Sequence, residues 1–287
     1  MKKVISKILV SVILVAFTTL QVGCNQPTNN SNNDIMYDNI KEIKEKGYFK
    51  DSNDKIFNEY ITSNHFVVFY DKNNTMDGIY AKSVIQELDN NYNKILSFFG
   101  LKDGSISKIE IYLYSNYDQF RMSIFRDIAF DVDDMGGAGG YTLGPNKLYL
   151  MYENNKYITM TAVHEFVHCV TFNFANSDMV PNWLFEGLAM YLSQDKDRYE
   201  DSYNEFAEMG FPPFYKFNDY ANRYIYGYSL VEYIDTEFGR EKLLDLIKSV
   251  NWDIEKVLEV SEYEFREGWK TYISKKINFA TITNRPW

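Results

Sequence analysis

Apolar residues recur at helical spacing between Tyr157 and Phe174: Ile158, Ala162, Val163, Phe166, Val167, Val170 and Phe174, with no glycine or proline among them. A stripe that wide predicts a helix buried around most of its circumference. A second apolar stretch, Trp183 to Leu192, opens on Pro181-Asn182 and carries a single acid, Glu186. It predicts another buried helix, with Gly187 as a place where a neighbouring backbone can come close. Upstream the period changes. Asn64 to Tyr70 reads as a strand, and Lys108 to Tyr114 alternates as a half-buried one. Between them a helical pattern runs from Ile79 to Phe99 and closes at Gly100. Ser115 is expected to cap a short helix around Phe120, and a turn at Gly144-Pro145-Asn146 to lead into a strand over Leu148 to Tyr152. Everything after Lys156 reads as helix and loop. The expected fold class is α+β: a small mixed sheet, then the helix through His164, then a mainly helical C-terminal part.

The N-terminus has a pattern of its own. Met1-Lys2-Lys3 and Lys7 precede an apolar run from Ile8 to Leu20, which is short for a membrane span and reads as a signal peptide over residues 1–23. Asn25 to Asn33 is polar and asparagine-rich, so residues 24–34 read as a tether. Residues 35–287 form the expected folded part, with Tyr37 to Asn58 as a charged lead-in.

Candidate chemistry concentrates at His164-Glu165-Phe166-Val167-His168, which uses two of the chain's three histidines. On a helix, residues four apart share a face, so both imidazoles can reach one metal ion. Glu165 is placed to take a proton from the attacking water. At this composition the H-E-x-x-H pattern arises by chance only ~0.002 times. Burying three polar side chains on so apolar a helix without partners would be costly, and a metal ion with a water ligand supplies partners. A catalytic zinc site usually has three protein ligands. No third histidine follows in the extended pattern, since Phe174 stands six positions after His168. The third ligand is then a carboxylate or a thiolate. Cys169 points about 100° around the helix from His168, which favours Glu186. Cys169 itself reads as a small buried residue.

His164 to His168 followed by P-N-W-L-F-E-G-L-A resembles the gluzincin metallopeptidases, and especially the bacterial peptidase MA-like domains, in which a W-L-x-E-G-L-A helix supplies the glutamate ligand. The resemblance extends more weakly through Tyr226 to Ile234 and Phe238 to Leu244. It implies a zincin-like domain with Zn2+ on His164, His168 and Glu186, Glu165 as general base, and a peptide or protein substrate. It also implies a tyrosine or histidine donor after the glutamate ligand, a place occupied here by Tyr226, with Tyr228 as the alternative. A sheet edge able to pair with an extended peptide is expected near Tyr141 or Leu148 to Tyr152. One position departs from the pattern: relatives often carry an acid one turn after the glutamate ligand, and here it is Met190. A partner orienting the histidines must then come from elsewhere. Gly23-Cys24 resembles a bacterial lipobox, which implies lipidation of Cys24, export, and a membrane lipid anchor facing the extracellular side. Gln21 stands where leucine is usual, and leaves cleavage without lipidation, or an uncleaved anchor, open.

Composition narrows the partners. The formal net charge is −10, and a mature chain without Lys2, Lys3 and Lys7 is three charges more negative. Such a chain has no general attraction for nucleic acid or anionic lipid, so membrane attachment would run through Cys24. The two cysteines suggest no intramolecular disulfide once Cys24 is lipidated. The Gly136 to Gly140 run matches no phosphate-binding pattern and reads as a loop. Asp131, Asp133 and Asp134 suggest calcium, but Met135 and Thr142 fill positions that a calcium loop gives to ligands. His65 is expected to be structural. The leading expectation is a zinc metallopeptidase. The alternatives are a surface-tethered binding or adhesion lipoprotein with a degenerate site, and a purely structural zinc.

Overall fold

The computed structural model describes residues 57–128, 139–152, 157–175, 180–193, 210–249 and 253–276. The signal segment, Cys24, the tether, Asp131 to Asp134 and Gly136 to Ala138 lie outside them. The class is α+β as expected. Among the described residues the sheet has five strands: β1 (Glu59–Thr62), β2 (Phe66–Tyr70), β3 (Ile109–Tyr114), β4 (Gly140–Thr142) and β5 (Lys147–Met151), in the order β1-β2-β3-β5-β4. β2, β3 and β5 run parallel, and an antiparallel strand closes each side.

Parallel neighbours need crossovers. Helix α1 (Thr75–Phe98) joins β2 to β3, and α2 (Tyr117–Ile128) follows β3. Helix α1 starts earlier than Ile79 because Asn74 caps it, its side chain accepting from the Met76 amide at 3.1 Å. Asn116, one residue after Ser115, accepts from the Gln119 amide at the start of α2. Gly144, at φ +66°, makes the β4–β5 turn, a conformation that suits glycine.

Strand alternation separates the two faces of the sheet. Phe66, Val68, Ile109, Ile111, Leu113, Leu148 and Leu150 enter the main core. On the other face Phe69, Tyr112 and Tyr149 stack at 5.2 and 5.6 Å, and Tyr114 meets Ser123 of α2 through a 2.8 Å hydroxyl bond.

Against the core face lies α3 (Ile158–Phe174). Ala162, Val163, Phe166, Val167 and Val170 are all buried there, and Phe166 stacks on Tyr92 of α1. Each large apolar side chain so buried contributes about 1.5–3 kcal/mol. His65 stacks on the other side of this layer, 3.7 Å from the Tyr92 ring, which is the structural place expected for it.

The rest is helical: α4 (Asn182–Leu192), a short 3-10 turn (Phe214–Lys216), α5 (Tyr220–Glu237), α6 (Arg240–Lys248), α7 (Ile254–Leu258) and α8 (Glu262–Lys276). Among the described residues no helix is long and apolar enough to cross a membrane. Strand β5 is paired on both sides, so Leu148 to Met151 is not an edge; β4, carrying Tyr141, is the outermost described strand on that side.

Candidate metal centre

Helices α3 and α4 bring His164, His168 and Glu186 together. The Nε2 atoms of His164 and His168 are 3.2 Å apart. Glu186 Oε2 lies 3.3 Å from the first and 3.5 Å from the second. Ligand atoms on tetrahedral bonds of about 2.0–2.1 Å stand roughly 3.3–3.5 Å from one another. The three atoms therefore fit the donor set and the spacing of a zinc ion. Burial alone would raise the Glu186 carboxyl pKa, but hydrogen bonds and charge from His164 and His168 outweigh it and hold the group well below the usual carboxylate range.

The fit is less complete behind the histidines. His168 Nδ1 is buried and has no hydrogen-bond partner. Its ring is held instead by stacking on Phe185 at 4.1 Å and 11°. Phe185 and Glu186 are adjacent on α4, so one residue fixes the plane of the imidazole while the next meets its Nε2. Met190, where an acid would be expected to help, is fully buried.

Glu186 has the partner that His168 lacks. The Tyr224 hydroxyl on α5 donates to Glu186 Oε1 at 3.1 Å, leaving Oε2 for the imidazoles. Burial, and then the Glu186 charge, push the Tyr224 pKa far up, so it keeps its proton. Two glycines make this contact possible. A Cβ on Gly187 would stand 2.4 Å from the Gly227 carbonyl oxygen, and one on Gly227 would stand 3.0 Å from Gly187 Cα. Backbone meets backbone at that crossing, beside Glu186 and one turn from Tyr224.

Glu165 is approached from the sheet. It is 7% exposed. The Thr142 hydroxyl stands 2.7 Å from Glu165 Oε2 and 2.9 Å from the Glu165 carbonyl, and can donate to one at a time. Two residues earlier on the same strand face, a Cβ on Gly140 would stand 2.9 Å from Glu165 Cγ and 3.0 Å from its Oε1. Tyr141, between them, is pushed up to about 12 by burial and then by the Glu165 charge.

The tyrosine expected from the resemblance moves. Tyr226 donates its hydroxyl to the Gly210 carbonyl at 2.8 Å and sets its ring against Trp269. Tyr228 packs against Tyr191. Tyr224 is the residue at the centre, because two positions on a helix turn a side chain by about 200°. The Gly187–Gly227 crossing, which the structure supplies, selects Tyr224: the helix face that holds Gly227 also holds the position three before it. Cys169 is fully buried, its sulfur 3.8 Å from the Gly144 carbonyl, and burial pushes its thiol pKa well up. It is inert packing, as expected.

No protein-family model matches the chain, and a search of curated proteins finds no match. The reading of the centre therefore stands on its own geometry.

Proposed function

We propose that this chain is a zinc-dependent peptidase of the gluzincin type, with His164, His168 and Glu186 as the ligands. The observation that carries the reading is the convergence of three ligand atoms at 3.2–3.5 Å, two of them on the helix that also carries Glu165. When bound, zinc would polarise the scissile carbonyl and make the nucleophilic water more acidic. Glu165 accepts a proton from that water and passes it to the leaving amine as the C–N bond breaks. Thr142 occupies Oε2, which leaves Oε1 to carry the proton. Tyr224 holds Glu186 by Oε1; only by leaving that bond would its hydroxyl share charge with the substrate oxygen.

Elemental analysis tests the reading directly. Wild type is expected to hold one zinc per chain, and His164→Ala and Glu186→Ala are expected to lose it. Retention of stoichiometric zinc by Glu186→Ala would overturn the ligand set. The buried, unpartnered Nδ1 of His168 favours a second reading, a binding or adhesion lipoprotein with a degenerate site. Absence of zinc from reconstituted wild type would select that one. In either case we propose attachment through lipidated Cys24 on the outer face of the membrane. Cys24→Ala should release the protein from the membrane fraction.

A further inference from the structure

Arg223 stands in the first turn of α5, immediately before Tyr224. Its guanidinium lies over two rings, 4.7 Å from the centre of Tyr220 and 5.1 Å from that of Tyr224. Its Nε is buried and has no hydrogen-bond partner. The other described arginines of the helical part are satisfied. Arg240 grips Asp235 with two bonds of 2.7 and 2.8 Å, and Arg266 reaches Glu267 and the carbonyls of Phe211 and Pro212. The chain carries 40 acidic against 30 basic residues, so carboxylates are in surplus. Among the described residues none of them meets Arg223.

A buried N–H without an acceptor is unfavourable. The two tyrosines hold the guanidinium plane by cation–π contact without occupying any of its donors. Nε–H is also one of the two parallel donors that a guanidinium offers side-on to a carboxylate. The position adds to this. The ring that carries Arg223 belongs to the tyrosine whose hydroxyl contacts Glu186 at 3.1 Å, so the unpartnered, buried Nε–H lies one side chain from the candidate metal centre. An extended peptide advances about 3.3–3.6 Å per residue. A group bound at Arg223 is thus within a few residues of a carbonyl held at that centre.

We infer that Arg223 is a substrate-recognition residue that binds a carboxylate near the scissile bond. The inference rests on the peptidase reading of the same centre and adds to it a class of substrate: peptides with an anionic group a few residues from the cleaved bond. Two sources share that chemistry, the C-terminal carboxylate and an Asp or Glu side chain.

The test uses binding, so it does not depend on turnover. Zinc-loaded Glu165→Gln protein and the Glu165→Gln/Arg223→Gln double variant are immobilised. Each is exposed to a random octapeptide library, once with free and once with amidated C-termini, and retained peptides are read by mass spectrometry. Arg223→Gln is expected to reduce retention of carboxylate-bearing peptides by about 10-fold or more, with neutral amidated peptides unaffected. Arg223→Lys keeps the charge without the fork and should restore only part of the retention. A loss confined to free C-termini identifies the terminal carboxylate; a loss confined to Asp- or Glu-containing peptides identifies the side chain. Equal retention by both proteins, a uniform loss across all peptides, or no retention by either overturns the inference. Zinc content of the same preparations reports separately on the peptidase reading, which can survive that result or fail on its own.

Discussion

Glu165 adjoins His164 in the chain and Glu186 meets both imidazoles from another helix, and the fold reaches the two glutamates from different layers. Glu165 is met from the sheet by a short strand, through one hydroxyl from Thr142 and the bare backbone of Gly140. Glu186 is met from the helical half, by two imidazoles on one oxygen and Tyr224 on the other, behind a contact between two backbones. One carboxylate is fixed at both oxygens and the other at one. A metal ligand must keep its place throughout a reaction, whereas a base must gain and lose a proton at an oxygen that stays accessible. Under the proposed function the difference in restraint matches a difference in task, and it can be broken from either side.

The largest effects should separate the two tasks. Glu165→Gln is isosteric and is expected to lower kcat by about 10²–10⁴-fold while zinc content stays at the wild-type level. Peptide turnover and elemental analysis on the same sample check this. Loss of zinc from this variant would place Glu165 among the ligands and end the comparison.

Next come the glycines. Gly187→Ala drives a methyl group into the Gly227 carbonyl, 2.4 Å away, and backbone cannot step aside. It should cost about 3 kcal/mol or more and displace Glu186, so thermal melts and zinc content fall together. Gly140→Ala meets only side chains, Thr161 Cγ2 at 2.8 Å and Glu165 Cγ at 2.9 Å. A smaller loss of about 1–3 kcal/mol is expected, with zinc kept and turnover reduced. If the two variants lose zinc equally, the sheet side and the helix side are not separate supports.

Much of this was legible in the chain. The helix through His164 and His168 and the stretch carrying Glu186 followed from spacing alone, because apolar periodicity is a local property. Gly187 was readable as a close approach, but its partner was not, since Gly227 is forty residues away and nothing local couples them. Tyr226 was favoured, with Tyr228 as its alternative, and Tyr224 was not weighed, for the same reason: a resemblance orders residues along a chain, while the crossing decides which helix face looks at Glu186. Thr142 entered the sequence reading only at a position that a calcium loop gives to a ligand. Its contact with Glu165 depends on β4 lying outermost beside α3, a matter of strand order that alternation cannot give. Leu148 to Tyr152 was read as a possible edge for want of that same order.

Hydroxyl deletions sharpen the comparison further. Tyr224→Phe removes the donor to Glu186 Oε1 and should weaken zinc binding by about 10- to 100-fold in competition with a chelator. Thr142→Val leaves Glu165 without its donor and should leave zinc affinity unchanged while lowering kcat more than it alters KM. An equal change in zinc affinity for the two variants would show that the two glutamates share one restraint.

The smallest effect belongs to the tyrosine that the sequence favoured. Tyr226 ties α5 to the chain near α8 through its bond to the Gly210 carbonyl and its ring on Trp269. Tyr226→Phe keeps the ring and deletes one neutral hydrogen bond, so denaturant unfolding should register a loss of about 0.5–1.5 kcal/mol. Zinc affinity and turnover should match wild type, since the Gly187–Gly227 crossing and Tyr224 are untouched. Set beside Tyr224→Phe, this pair applies the same chemical change two residues apart on one helix, which turns the side chain by about 200°. The comparison then asks only which face of α5 serves the centre. A kcat loss in Tyr226→Phe larger than in Tyr224→Phe would return the donor role to Tyr226 and require α5 to rotate about its axis when substrate binds.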